Sequence, residues 1–304
     1  MAAGGYSTVY QCSFQGRQCA LKMFRNTKEE SAFKEIELLF SLRHPNIIGL
    51  YAWFSIKGTL MQIGVVIELA NGDLENWYTE AEGRTFSFKR GLSILAGATK
   101  GLAHMHTMPA PMIHRDVKSM NIMVMQDGLT GKMGDCGVSR RVDYDSTMTR
   151  IGSPVWAAPE VLAGKRYCED ADTYSLGIVM YEIAMRSLPY GVRTMKAGKR
   201  RKLLQRVAEG KLQPKLVRRV CRRYGVGRLF QKLFAKVSLE QSDSKRREAT
   251  RSDAKRETTH ISTELELTTD TARLRALFAA VLYACVKHSA RSLRRLNVPR
   301  WKTS

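Results

Sequence analysis

The sequence predicts an α+β chain in two unequal lobes, a small antiparallel sheet carrying one helix and a larger, mainly helical lobe. Three observations predict this. Strand-like apolar runs crowd the region before residue 70, helical spacing dominates from Gly72 onward, and the pattern changes at Glu68 to Asn71. A hydrophobic content of 44% with 8% aromatics excludes a disordered or collagen-like chain.

Each element follows from its pattern. Val9 to Phe14 and Gln18 to Met23 are short strand runs around Gln15-Gly16-Arg17, a hairpin signal. With Gln15-Gly16 as a two-residue turn, Val9 lies opposite Lys22 and Gln11 opposite Ala20, so Val9, Ala20 and Lys22 share a face. Lys28 to Leu42 carries Phe33, Ile36, Leu39 and Phe40 at helical spacing, and His44-Pro45-Asn46 stops it. Ile47 to Trp53 and Leu60 to Leu69 read as two further strands. Beyond Gly72, Phe88 to His106 places Leu92, Leu95, Thr99 and Leu102 on one helix face. Val161-Leu162 and Thr173 to Met185 continue the helical trend.

Charge divides the chain again. The net charge is +22, yet residues 1–190 carry 20 Lys+Arg against 19 Asp+Glu, while residues 191–304 carry 30 against 9. The six cysteines (12, 19, 136, 168, 221 and 285) form no C-x-x-C pair, and their spacing suits neither zinc nor a disulfide framework. A reducing setting follows, cytoplasmic or nuclear. Met1 to Gly5 lacks the features of a secretory leader. No apolar run reaches the roughly 18–20 residues of a membrane-spanning helix.

The decisive stretch is His114-Arg115-Asp116-Val117-Lys118-Ser119-Met120-Asn121. It resembles the catalytic loop of eukaryotic protein kinases, H-R-D-x-K-x-x-N, in which a carboxylate orients a hydroxyl and an amide five residues on holds Mg²⁺. Asp116 is then the base, Asn121 a metal ligand, and Lys118 the charge facing the transferred phosphoryl. Further pieces follow in family order. Asp135-Cys136-Gly137, 14 residues after Asn121, stands for D-F-G with its metal-binding Asp. Gly152-Ser153-Pro154-Val155-Trp156-Ala157-Ala158-Pro159-Glu160 looks like the end of the activation loop, and Asp172 to Gly177 like the start of the helix anchoring the catalytic loop. Cys19-Ala20-Leu21-Lys22 stands where V-A-I-K would, with Glu35 as the ion-pair partner of Lys22.

The resemblance implies ATP and Mg²⁺ as cofactors and a nucleotide site residue by residue. Gly4 and Gly5 belong to the phosphate loop. Val9 and Ala20 cover the adenine from above and Met123 from below. Ile67 is the gatekeeper, the backbones of Glu68 and Ala70 hold the adenine edge, and Asp73 faces the ribose. Lys118 and the Gly152 to Trp156 segment indicate transfer to Ser/Thr of a protein substrate. Phe33 to Leu50, with Glu35 and His44-Pro45-Asn46, looks most like the tyrosine-kinase-like group of mixed-lineage and Raf-type enzymes. Ser146, Thr147 and Thr149, between Asp135 and Glu160, are candidate phosphosites that Arg115 would clamp.

The chain also departs from the pattern. Ala2 and Ser7 replace two glycines of the phosphate loop, and the strand before it is missing from the expected N-terminal lobe, residues 1–70. Cys136 fills less volume than the usual Phe. The larger lobe is expected over 71–216, where the likeness ends. Residues 217–304 form a basic tail in which Leu274, Leu277, Phe278, Val281, Leu282 and Cys285 recur at helical spacing. Its charge suits a polyanion, nucleic acid or acidic membrane. Two functional readings therefore stand side by side: an active serine/threonine kinase, and a pseudokinase scaffold that binds nucleotide weakly without turnover.

Overall fold

A computed structural model describes residues 2–3, 7–24, 29–56, 62–79, 86–141 and 152–215. Gly4, Gly5, Ser146, Thr147, Thr149 and the basic segment 217–304 lie outside the described residues. Strands β2 (Ser7–Phe14) and β3 (Arg17–Phe24) form the expected hairpin, with Val9 opposite Lys22 and Gln11 opposite Ala20. Both turn residues take positive φ, 49° at Gln15 and 75° at Gly16, the backbone that matches the right-handed twist of a two-residue hairpin. The short strand β1 (Ala2–Ala3) pairs with β2, where the sequence predicts none.

Strands β4 (Leu50–Ile56) and β5 (Gln62–Glu68) complete a five-stranded sheet of order β1-β2-β3-β5-β4. The first of them starts later than its apolar run suggests, because residues 46–48 are claimed by another partner. Ile48 N–H donates to the Met133 carbonyl, and Met133 N–H donates to that of Asn46. Helix α1 (Glu29–Ser41) packs Ala32, Ile36 and Leu39 inward. Phe33 makes an edge contact with Trp53, ring centroids 5.7 Å apart. Phe40, expected on the buried face, is 63% exposed beneath the Arg43 guanidinium.

The second lobe contains the short helix α2 (Leu74–Thr79), then α3 (Phe88–Thr107), which Ser87 caps by accepting from Arg90 N–H. Strand β6 (Met112–Ile113) precedes the loop of interest. Strands β7 (Ile122–Val124) and β8 (Gly131–Met133) pair with each other, and β9 (Arg140–Arg141) pairs with β6. Helices α4 (Pro159–Leu162), α5 (Asp170–Met185) and α6 (Ala197–Ala208) follow. Because α5 is buried on nearly every side, its sequence is apolar all round rather than striped. Leu95, Leu102 and Met105 of α3 join Leu176, Ile178 and Met180 of α5 in the main core. Gly101 lets the 44–48 loop lie against α3, since a Cβ there would stand 2.2 Å from the Asn46 carbonyl oxygen.

Candidate active site

The site lies where the sheet meets the helical lobe. Lys22 projects from β3, and its Nζ donates to Glu35 Oε1 at 2.7 Å and to Asp135 Oδ1 at 3.0 Å. Burial alone would lower the Lys22 pKa, but the two carboxylates win and raise it above the ordinary lysine value. Burial likewise pushes Asp135 up, and Lys22 outweighs it, leaving its carboxyl below the usual range. Asp135 takes a left-handed backbone, φ 52°, as the chain turns into a short 3₁₀ segment at Cys136 to Val138. Cys136 is fully buried in the same core cluster as Leu39 of α1, and desolvation pushes its thiol up to about 12. It is a packing residue there, not a nucleophile.

Below this pair sits the loop before β7. Asp172 of α5 organises it from underneath, accepting from the backbone N–H of His114 at 2.8 Å and Arg115 at 2.9 Å, and from His106 Nε2 at 2.8 Å. Burial would raise Asp172, yet the His106 hydrogen bond and charge keep it below the ordinary value. His114 Nδ1 accepts from Asp116 N–H, so the ring proton is on Nε2, where it donates to the Gly134 carbonyl at 3.0 Å. One imidazole thus spans the loop and the residue before Asp135.

Asp116 is the focus. Its Oδ2 accepts from Lys118 Nζ at 2.6 Å and Asn121 Nδ2 at 3.0 Å, and its Oδ1 accepts from Ser153 N–H at 2.9 Å. Lys118 Nζ also donates to Ser153 Oγ at 3.0 Å. Gly152 permits this approach with φ 102°, since a Cβ there would lie 2.3 Å from the Arg115 carbonyl oxygen. Asn121 Nδ2 is tied to Asp116, which leaves Oδ1 as its acceptor. Gly134 N–H donates to the Asn121 carbonyl, drawing Asn121 toward Asp135. Two hard oxygen donors, one amide and one carboxylate, fit Mg²⁺ completed by phosphate and water.

Some of the remaining expected residues meet through backbone pairing. Ala20 pairs across the sheet with Ile67, and Asp73 bridges to Met123. No backbone hydrogen bond engages Ala70 among the described residues. The Asp73 carboxylate caps α2, accepting from Asn76 N–H at 2.9 Å and Asn76 Nδ2 at 2.8 Å.

Sequence reasoning missed two side-chain clusters. Glu182 of α5 is fully buried and accepts from Tyr78 Oη at 2.7 Å, Ser119 Oγ at 2.9 Å and Trp156 Nε1 at 2.8 Å. A lone acid inside the apolar run Leu176 to Met185 was the available signal. The Glu68 side chain, expected to act only through its backbone, receives Lys132 Nζ at 2.7 Å on each oxygen and Gly49 N–H at 3.3 Å.

Comparison with known proteins identifies the family. Over 209 residues the chain is 34% identical to a probable serine/threonine-protein kinase of Dictyostelium discoideum, covering 64% of this chain and 15% of that one. It is 31% identical over 192 residues to a putative serine/threonine-protein kinase/receptor of Acanthamoeba polyphaga mimivirus, covering 62% and 12%. It is 32% identical over 191 residues to mitogen-activated protein kinase kinase kinase 7 of Drosophila melanogaster, covering 62% and 27%. The chain therefore matches only a minor part of each relative's length. Among the described residues no helix is long and apolar enough to cross a membrane. The family profile of the protein kinase domain matches residues 1–257, which takes in Lys22, Glu35, Asp116, Asn121, Asp135 and every contact they make, and the chain belongs to the protein kinase family.

Proposed function

We propose that the chain transfers the γ-phosphoryl group of ATP to Ser/Thr hydroxyls of proteins. The observation that carries this is the cluster of Lys118, Asn121 and Ser153 on the Asp116 carboxylate, set beneath the Lys22–Glu35–Asp135 triad. Asp116 orients the acceptor hydroxyl and takes its proton. Lys118, already bridging Asp116 and Ser153, places positive charge beside the group in flight. Lys22, held by Glu35, faces the nucleotide phosphates. Asn121 and Asp135 are the ligands of Mg²⁺, which when bound neutralises phosphate charge. Val9, Ala20 and Met123 enclose the adenine, the backbones of Glu68 and Ala70 hold its edge, and Gly4 and Gly5 cover the phosphates.

The serine/threonine-kinase names of the relatives support the substrate class, and the motifs support placement in the tyrosine-kinase-like group. Phosphorylation at Ser146, Thr147 or Thr149, polyanion contact through residues 217–304, and a cytoplasmic or nuclear location belong to the same proposal.

Asp116→Asn keeps the shape and removes the base, so transfer from Mg²⁺-ATP to a generic protein substrate should fall roughly 10²- to 10⁴-fold. Equal transfer by both proteins rejects the assignment. A thermal shift with Mg²⁺-ATP but no turnover by the unmodified chain selects the scaffold reading instead.

A further inference from the structure

A groove of about 1040 Å³ runs from Gly152 and Pro154, at the edge of the Asp116 cluster, along α4 to α6. Helix α6 presents Ala197, Arg200, Arg201, Leu204, Gln205 and Ala208 to it, spaced three and four residues apart and so on one face. Its opposite wall includes Pro154, Ala157, Val161 and Leu162. The groove thus combines an apolar lining with cationic side chains: Arg200 and Arg201 from α6, and Lys165 from beyond α4, all exposed. Glu160 and Glu209 also line the groove, yet among the described residues these cations form no ion pair. Arg193 is paired with Glu75, and Glu209 with Lys211 at 2.8 Å.

The geometry points to a docking groove for an acidic segment of the protein substrate, with Arg200 and Arg201 as its specificity-determining residues. The inference rests on the phosphotransfer reading and adds the substrate's chemistry. Two features select this occupant. The groove is continuous with the acceptor site, because Ser153, between its lining residues Gly152 and Pro154, binds Asp116. Its cations outnumber its two acids, Glu160 and Glu209, and attract carboxylates.

The test compares serine peptides that share one core and carry a run of Asp/Glu, or the matching Asn/Gln, on either side of the serine. For the full chain, kcat/KM should favour the acidic peptide roughly five- to tenfold on one of the two sides, the size of one or two exposed ion pairs. In the double variant R200E/R201E that ratio should fall to one or below. Because the ratio is read within each protein, a folding defect lowers both values and leaves it unchanged. Equal kcat/KM for acidic and neutral peptides, or a ratio unaltered by the charge reversal, overturns the groove while leaving phosphotransfer standing. No transfer to any peptide or generic protein overturns both. Inhibition by duplex DNA that the reversal relieves, without an acidic preference, assigns the groove to a polyanion and overturns the substrate reading.

Discussion

At the residue scale, the cradle around Lys22 constrains Gly137. A Cβ built there would stand 2.5 Å from Glu35 Oε2, the mobile end of a side chain rather than a rigid wall. Gly137→Ala is therefore expected to fold normally while pushing the Glu35 carboxylate off Lys22. Thermal melting should change little, and kcat should drop. A variant that keeps full activity would show that the Lys22–Glu35 pair, 2.7 Å in this structure, is dispensable. Where two residues share one loop, their pairing was legible from the sequence alone, whereas that of Lys22 with Asp135, 113 positions apart, was legible only through the resemblance of the motifs. Asp116 and Asn121 are five residues apart, and a single loop conformation decides their geometry.

At the element scale, Glu182 ties α2, the loop before β7, and the segment before α4 to helix α5. Burial pushes its carboxyl up to about 7. Between the ordinary carboxyl range and about 7, the folded chain then holds a proton that the unfolded chain has released. Stability from this group is present at the acid end of that window and is lost as pH rises through it. Glu182→Gln removes the titration, so the stability advantage of the unmodified chain over the variant should be larger at pH 5 than at pH 7.5. Its change is bounded by about 1.4 kcal/mol per pH unit. Urea titrations at the two pH values measure it, and a constant difference would contradict the assignment. Elements themselves were legible where the pattern is local, as in the β2–β3 hairpin and α3. Contacts that decide between competing partners were not. The β4 strand yields residues 46–48 to Met133, more than 80 positions away, and Tyr78 reaches Glu182 across 104. Periodicity carries no information about such pairings.

At the scale of the whole molecule, charge asymmetry and lobe attachment stand out. Residues 191–304 hold most of the net charge, so the full chain is expected to bind duplex DNA at low ionic strength, with the logarithm of affinity falling linearly in the logarithm of salt. A salt-independent affinity, or none at low salt, would leave that charge simply hydrated.

The attachment of the sheet to the helical lobe carries a consequence of its own. It is fastened at the 46–48 loop, through backbone bonds to Met133, and at Glu68, through Lys132. A third tie, from Lys22 of β3 to Asp135, is a single side-chain contact at 3.0 Å. On the phosphotransfer reading, losing that one contact would free Val9 and Ala20 to move with their hairpin while the Lys118 and Asn121 bonds to Asp116 stay made, so a spent nucleotide would leave without dismantling the machinery that acts on the next one.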